Sequence, residues 1–215
     1  GAFGFEEARS TAPDSLGYVA EVAPGMDVMA IDSNRYERNI ASGHPESGGA
    51  ISPDQADWME RQLVAAQEAN RAVIPLMHHS LLDHRAGRRS GRGSASWIDL
   101  WPRYARLFWD TAAPVIFTGH IHAQNIAGLR GEEDEWLYDV ATGALVAYPH
   151  KYRMVRIGED GVLHVGEGRL TADDLDPTSG VGRAAGKKAR PKRRRDTAPA
   201  DRNVENLSGG MRQLL

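Results

Sequence analysis

Two short apolar segments that each run directly into histidine constrain the fold of this 215-residue chain more than any other feature. Residues 72–77 (AVIPLM) are followed by His78 and His79, and residues 114–118 (PVIFT) are followed by the sequence GHIH at 119–122. Short apolar runs between turn signals are typical of buried strands. Because ligand sites in open α/β sheets lie beyond the carboxyl ends of strands, we expect these histidines to converge at one edge of one sheet.

Helical signals precede both apolar segments, and this alternation predicts an α/β layered fold. Ser52 is expected to cap a helix that begins at Pro53, with Gln55 completing a capping box and Asn70 close to the helix end. A second helix is expected over 101–111.

Further strands are expected on both sides of this unit. Residues 1–16 are predicted to be irregular, and residues 32–51 and 85–96 are predicted to be long loops, which in compact domains are usually functional or mobile. The predicted strands cover 18–22, 28–31, 136–140, 153–157 and 162–165, and we expect the last three to form one antiparallel group.

Composition excludes several classes of protein and site. The chain has no cysteine, which excludes disulfides, thiolate zinc sites and cysteine nucleophiles. It has no run of 18 apolar residues, so no membrane span is expected. Residues 183–195 carry eight basic side chains and no acidic one, whereas the whole chain has a net charge of −3. We therefore predict an acidic domain over 1–173 and a basic, flexible tail over 174–215.

The histidines are candidate metal ligands. Neutral imidazoles suit zinc, iron and manganese, and the three candidates are His78, His120 and His122. In an extended loop, residues i and i+2 point the same way, so His120 and His122 can address one ion or two neighbouring ions. A single pair with this spacing is usually a coincidence, and the hypothesis depends on histidines following two strands.

These two segments resemble the last two motifs of the calcineurin-like metallophosphoesterases. Met77-His78-His79 corresponds to the single-histidine motif, and residues 117–122 (FTGHIH) correspond to the Gly-His-x-His motif. The resemblance extends over about residues 18–163. Within this range the segments that resemble bacterial members close to cyclic-nucleotide phosphodiesterases are 30–34 (AIDSN), 48–51 (GGAI), 78–84 (HHSLLDH) and 148–150 (YPH).

The resemblance implies a layered metallophosphoesterase sandwich with two divalent metal ions, which would be Mn, Fe or Zn. His78 and His120 would bind the second ion, and His122 would bind the first. Two ions about 3.5–4 Å apart can polarise a phosphoryl group and lower the pKa of a bridging water for in-line attack.

Three more residues would support this site. His79 and Asp83 lie beside the ligand His78, and Asp83 either accepts a hydrogen bond from a ligand imidazole or makes a helix-cap or loop contact. His150 either reaches toward the substrate or makes a structural hydrogen bond.

The chain departs from the family in lacking the earlier Asp-x-His, Gly-Asp-x-x-Asp and Gly-Asn-His motifs. Asp32-Ser33-Asn34, for example, has no histidine where the first motif requires one. Those motifs would supply the carboxylate and asparagine ligands and the general acid, and no catalytic residue is therefore assigned. We expect the chain to be the C-terminal portion of such an enzyme, with N-terminal strands missing and a partial site that is inactive alone.

The predicted function is metal-dependent hydrolysis of small phosphodiesters or phosphomonoesters by the intact enzyme, with cyclic nucleotides as the first candidates. One alternative is a non-catalytic remnant or partner subunit. Another is a polyanion-binding module that acts through residues 183–195. Nucleic acid is not the expected partner, because no aromatic residues interleave with this basic run to stack on bases.

Overall fold

A computed structural model describes residues 6–36, 39–44, 46–84, 97–131, 135–158, 160–171 and 174. The predicted loop at 85–96 lies outside the described residues, as does the predicted basic tail beyond residue 174.

Nine strands and three helices form within these described ranges. In chain order they are β1 Ala8–Thr11, β2 Tyr18–Ala23, β3 Met26–Ile31, α1 Asn39–Ser42, α2 Pro53–Glu68, β4 Ala72–Met77, α3 Trp101–Asp110, β5 Val115–Thr118, β6 Asn125–Arg130, β7 Trp136–Ala141, β8 Lys151–Ile157 and β9 Leu163–Arg169.

Seven of the strands form one continuous mixed sheet in the order β1-β2-β3-β4-β5-β7-β6. Strands β3, β4, β5 and β7 run parallel to their neighbours in this series, so their carboxyl ends share one edge of the sheet. Strands β8 and β9 form a separate antiparallel pair. Helices together with a mixed sheet establish the α/β class that the sequence predicts.

Two hydrophobic clusters cover opposite faces of the sheet. The larger one joins Met59 of α2 and Phe108 of α3 to Ile116 of β5. The smaller one contains Val115 of β5 and Leu163 of β9, so the β8–β9 hairpin contributes to it. Adjacent residues of a strand point to opposite faces, which places the helices and the hairpin on different sides of the sheet.

Several strands differ from the sequence-based expectation. Strand β1 lies in a segment expected to be irregular, and β6 was not predicted. The expected antiparallel group is wrong in one member, because β7 pairs with β5 and β6 inside the main sheet rather than with the β8–β9 hairpin. Local patterns show that a segment is extended, but the choice of its partner depends on packing with distant residues.

Helix α2 begins as the sequence predicts, although only half of the capping box forms. The Gln55 backbone N–H donates to Ser52 Oγ at 3.2 Å. The buried Gln55 side chain instead donates from Nε2 to the Asp32 carbonyl at 2.6 Å and accepts from the Asp32 N–H at 3.1 Å. The helix start is therefore joined to the chain where it leaves β3.

A buried ion cluster lies at the amino ends of β3 and β4. Asp27 is fully buried and accepts two hydrogen bonds from Arg71, at 2.9 and 2.7 Å, and a third from Arg9. Arg71 also contacts Glu21 at 2.9 Å, and this hydrogen bond is the main cause of the lowered pKa of Glu21. The cluster lies at the end of the sheet opposite to the histidines.

Within the described part of the chain, no helix has both the length and the apolar character needed to cross a membrane.

Replacing Gln55 by Met is expected to lower the free energy of unfolding by about 1–3 kcal/mol, because the Asp32 N–H and C=O lose their partners. Urea denaturation measures this change. Gln67 is exposed on the same helix, so Gln67→Met should stay within about 0.5 kcal/mol of the wild type. Equal losses in the two variants would show that the Gln55 amide does not stabilise this junction.

Candidate metal centre

The two histidine-bearing loops are held together at the carboxyl ends of neighbouring strands. His78 and His79 directly follow β4, and His120 lies two residues beyond the end of β5. The His78 carbonyl accepts hydrogen bonds from the backbone N–H groups of Gly119 and His120, at 3.0 and 2.8 Å. The backbone alone therefore brings residues 42 positions apart to one point.

Three imidazoles meet at this point. His120 Nδ1 lies 3.0 Å from His78 Nε2, and the two ring planes are nearly perpendicular, with an interplanar angle of 87°. His79 is the third member of the group, with its ring centroid 4.5 Å from that of His120. One ring nitrogen of each residue lies within 4.8 Å of the other two.

His79 is held by hydrogen bonds to the protein at both ring nitrogens. Nδ1 lies 2.8 Å from Ser33 Oγ, and Nε2 lies 3.3 Å from the Ser47 carbonyl oxygen. Because a carbonyl only accepts, we assign the ring proton to Nε2 and the donated hydrogen bond at Nδ1 to the Ser33 hydroxyl. Ser33 Oγ in turn accepts from the His79 backbone N–H at 3.3 Å. The two ring nitrogens of His79 are thus both engaged by the protein, and its supporting role in a metal site stays a prediction.

The group favours neutral imidazoles. Burial, with smaller contributions from His120 and His78, lowers the pKa of His79 to about 4. Burial also lowers the pKa of His78, and His122 contributes in the same direction. A neutral imidazole keeps the lone pair that binds a metal ion, so His78 is in the form that coordination requires, whereas the His79 lone pair accepts from the Ser33 hydroxyl.

His122 lies outside this group. Its backbone N–H donates to the Gly119 carbonyl at 3.1 Å, and its φ is 53°, so residues 119–122 form a tight turn. The expectation of an extended loop that points His120 and His122 the same way is therefore wrong for the backbone. The His122 side chain is exposed and lies near enough to His78 to affect its pKa. Its role as a ligand stays a prediction.

The other two predicted support residues occupy different surroundings. Asp83 is exposed in the segment after β4, and its supporting role stays a prediction. His150 Nδ1 lies 2.9 Å from the Leu145 carbonyl, and its ring stands edge-on to Tyr148 with centroids 6.1 Å apart. The His150 ring therefore makes a hydrogen bond within its own loop.

Sequence reasoning missed a buried carboxylate beside the two loops. Asp139 of β7 has an exposed fraction of 0% and accepts hydrogen bonds from the backbone N–H groups of Leu81 and Leu82 and from Thr118 Oγ1. An acidic residue inside the apolar run 136–141 (WLYDVA) is the signal that would have found it, because buried charges are rare unless paired.

Gly49 allows a neighbouring loop to lie directly on the His79 ring. A Cβ atom at Gly49 would lie 2.5 Å from His79 Cγ and 2.7 Å from His79 Cβ. This loop is also held at Gly49 by a bridge to Ile98, and Ser80 forms a second bridge with Trp97. The absence of a side chain at Gly49 is thus a requirement of the packing around His79.

The donor set fits one divalent ion through two nitrogens. With a metal–nitrogen bond of about 2.1 Å, two coordinated nitrogens lie about 3.0 Å apart in octahedral geometry and about 3.4 Å apart in tetrahedral geometry. His78 Nε2 and His120 Nδ1 lie 3.0 Å apart, which is the octahedral separation and also the length of a hydrogen bond between the two rings. Among the described residues the group consists of histidines, so it offers borderline nitrogen donors of zero net charge.

Comparison with known proteins shows a similarity to solved structures. No protein-family model and no curated protein matches the chain. A solved structure of a dimetal phosphatase from Danio rerio is similar, with a TM-score of 0.52 and 13% sequence identity over 73% of this chain. The chain spans 59% of the length of that protein. At this identity the similarity shows a shared α/β fold, and it does not extend to a cyclic-nucleotide subgroup.

Replacing Gly49 by Ala is expected to lower the free energy of unfolding by about 1–3 kcal/mol and to shift the NMR signals of the His79 ring, because the new methyl group overlaps that ring. Gly48→Ala is the matched control, since its Cβ would lie 3.9 Å from Arg35 Cζ, an ordinary contact, and should change stability by no more than about 0.5 kcal/mol. Unchanged His79 signals in Gly49→Ala would contradict this packing.

Proposed function

We propose that this chain carries part of the metal centre of a calcineurin-like, metal-dependent phosphoester hydrolase. The observation that carries the proposal is the 3.0 Å separation of His78 Nε2 and His120 Nδ1 at the carboxyl ends of parallel strands. The fold shared with a dimetal phosphatase supports it. The proposed domain covers residues 1–173, and the intact enzyme acts on small phosphoesters, for which cyclic nucleotides are the first candidates to test.

In this proposal His78 and His120 hold one divalent ion, and His122 on the adjacent turn holds the second. The ions would be Mn, Fe or Zn, all of which imidazole binds. When bound, such ions would polarise the phosphoryl group and activate water for attack on it. The contribution of this chain is to present the imidazoles as neutral donors in a fixed arrangement.

Charge limits what the histidines can do without other ligands. Three neutral imidazoles leave the charge of two dications uncompensated, whereas carboxylate ligands would offset it. Within the described residues, the grouped donors are His78, His79 and His120, without a carboxylate. We therefore propose that the chain as given binds divalent ions weakly and that the hydrolytic site needs carboxylates of the kind that the earlier family motifs supply.

The chain is expected to bind Co²⁺ or Zn²⁺, and His120→Ala is expected to weaken binding by at least about 10-fold because one of two paired nitrogens is removed. Isothermal titration calorimetry and Co²⁺ absorption measure this. His164→Ala is the control, since His164 is exposed on β9. Equal affinity in the wild type and His120→Ala would contradict the proposed ligand pair.

Hydrolysis distinguishes the enzyme from a non-catalytic relative. The chain as given should show no appreciable Mn²⁺-dependent turnover of bis(p-nitrophenyl) phosphate, because its donor set is partial. A longer chain in which the earlier family motifs precede this sequence should turn over this substrate and lose at least about 100-fold in rate with His120→Ala. Turnover by the chain alone would contradict the partial site, and an inactive product that carries all the earlier motifs would contradict the proposed function.

A further inference from the structure

The proposed function leaves the buried Asp139 carboxylate unused. Asp139 lies on β7, next to β5 in the sheet, and its exposed fraction is 0%. Moving an isolated carboxylate out of water costs several kcal/mol unless hydrogen bonds or opposite charges replace the lost hydration. The groups that donate hydrogen bonds to this carboxylate in place of water therefore indicate its structural role.

Its partners lie close in sequence to the histidines of both loops. Oδ2 accepts from the backbone N–H groups of Leu81 and Leu82, at 2.6 and 2.9 Å, in the segment that follows His78 and His79. Oδ1 accepts from Thr118 Oγ1 at 2.5 Å; Thr118 is the last residue of β5 and lies two residues before His120. One carboxylate therefore connects the loop after β4 to the end of β5, from which the His120 loop continues.

The buried His84 side chain lies against this carboxylate. Its side chain has an exposed fraction of 1%, and its Nε2 lies 3.2 Å from Asp139 Oδ1. The hydrogen bonds of Asp139 are thus made in a site that water hardly reaches, where hydrogen bonds to a charged acceptor are strong.

We propose that Asp139 is a positioning residue that holds the His78 and His120 rings at the separation needed to share one metal ion. The inference rests on the proposed function for the identity of the ligand. His78 and His120 lie on loops rather than on strands, so their arrangement depends on what restrains those loops. Groups behind the ligands commonly set ligand orientation, and their loss typically lowers metal affinity about 10- to 100-fold.

The chain contains a matched carboxylate for comparison. Asp27 is also fully buried, but its partners are the guanidinium groups of Arg71 and Arg9 at the other end of the sheet. Loss of charge at Asp27 or Asp139 leaves buried donors without their acceptor. The Asp139 donors lie within four residues of His78 or His120 in the chain, whereas the Asp27 donors lie at the other end of the sheet, so Asp27→Asn controls for lost stability.

The test compares Asp139→Asn with Asp27→Asn in the full chain, using two measurements. The Asn amide is neutral and has one acceptor oxygen, so the charge-assisted hydrogen bonds are lost, and the Leu81 and Leu82 N–H groups and the Thr118 hydroxyl no longer share the two acceptor oxygens of one carboxylate. Co²⁺ affinity should therefore fall about 10- to 100-fold in Asp139→Asn and change less than about 3-fold in Asp27→Asn. In the metal-free protein, NMR cross-peaks between the His78 and His120 rings should persist in Asp27→Asn and weaken in Asp139→Asn.

Thr118 variants keep the inference testable if Asp139→Asn does not fold. Thr118→Val removes the hydroxyl donor at nearly constant volume, and it should reduce Co²⁺ affinity and the ring cross-peaks. Thr118→Ser keeps the hydroxyl and should restore both. Rescue by Ser separates positioning through the hydrogen bond from a general effect of altered packing.

The outcomes separate the inference from the proposed function. If the wild type binds no Co²⁺, the proposed function fails, whereas the ring cross-peaks of the metal-free protein still test the role of Asp139. Wild-type cross-peaks in folded Asp139→Asn or in Thr118→Val would overturn the inference. An equal loss of cross-peaks in Asp27→Asn would also overturn it, because the effect would then follow stability alone.

Discussion

A buried carboxylate on one strand accepts hydrogen bonds from the segment after β4 and from the end of β5, which lie more than 30 residues apart in the chain. Asp139 accepts hydrogen bonds from the backbone after β4 and from the threonine that ends β5. Because the His78 carbonyl also accepts from Gly119 and His120, the two loops are bonded to each other and to the sheet. In the inference drawn above, the close approach of the two imidazoles depends on these hydrogen bonds, because both side chains lie outside the strands.

A second series of contacts supports the histidines from the other side. Gln55 bonds the backbone of Asp32 as the chain leaves β3, and the next residue, Ser33, hydrogen-bonds His79. Gly49 lets a further loop lie against the same ring. Both ring nitrogens of His79 thus make hydrogen bonds to the protein. His78 and His120 are the pair whose ring nitrogens face each other. The two ends of the sheet differ accordingly, with guanidinium-paired Asp27 at one end and the histidines at the other.

Much of the fold could be predicted from local patterns. The cap at Ser52 and the apolar runs that became β4 and β5 were visible because capping chemistry and hydrophobic runs are properties of short segments. Strand β6 and the pairing of β7 with β5 could not be predicted, because strand pairing depends on packing between residues that are far apart in the chain. The tight turn at 119–122 was likewise hidden, since a glycine permits several backbone conformations.

The sequence by itself determined that histidines follow two buried strands and that imidazole chemistry is available at one edge of an α/β sheet. Only the tertiary structure decided which nitrogens meet. It hydrogen-bonds His79 to Ser33 and leaves His122 outside the group of three imidazoles. It also brings Asp139 into contact with the segment after β4 and with the end of β5. The physical reason is that hydrogen bonds between segments far apart in the chain depend on strand order and burial, which no single segment encodes. A buried acid within an apolar strand was the one local sign of this arrangement.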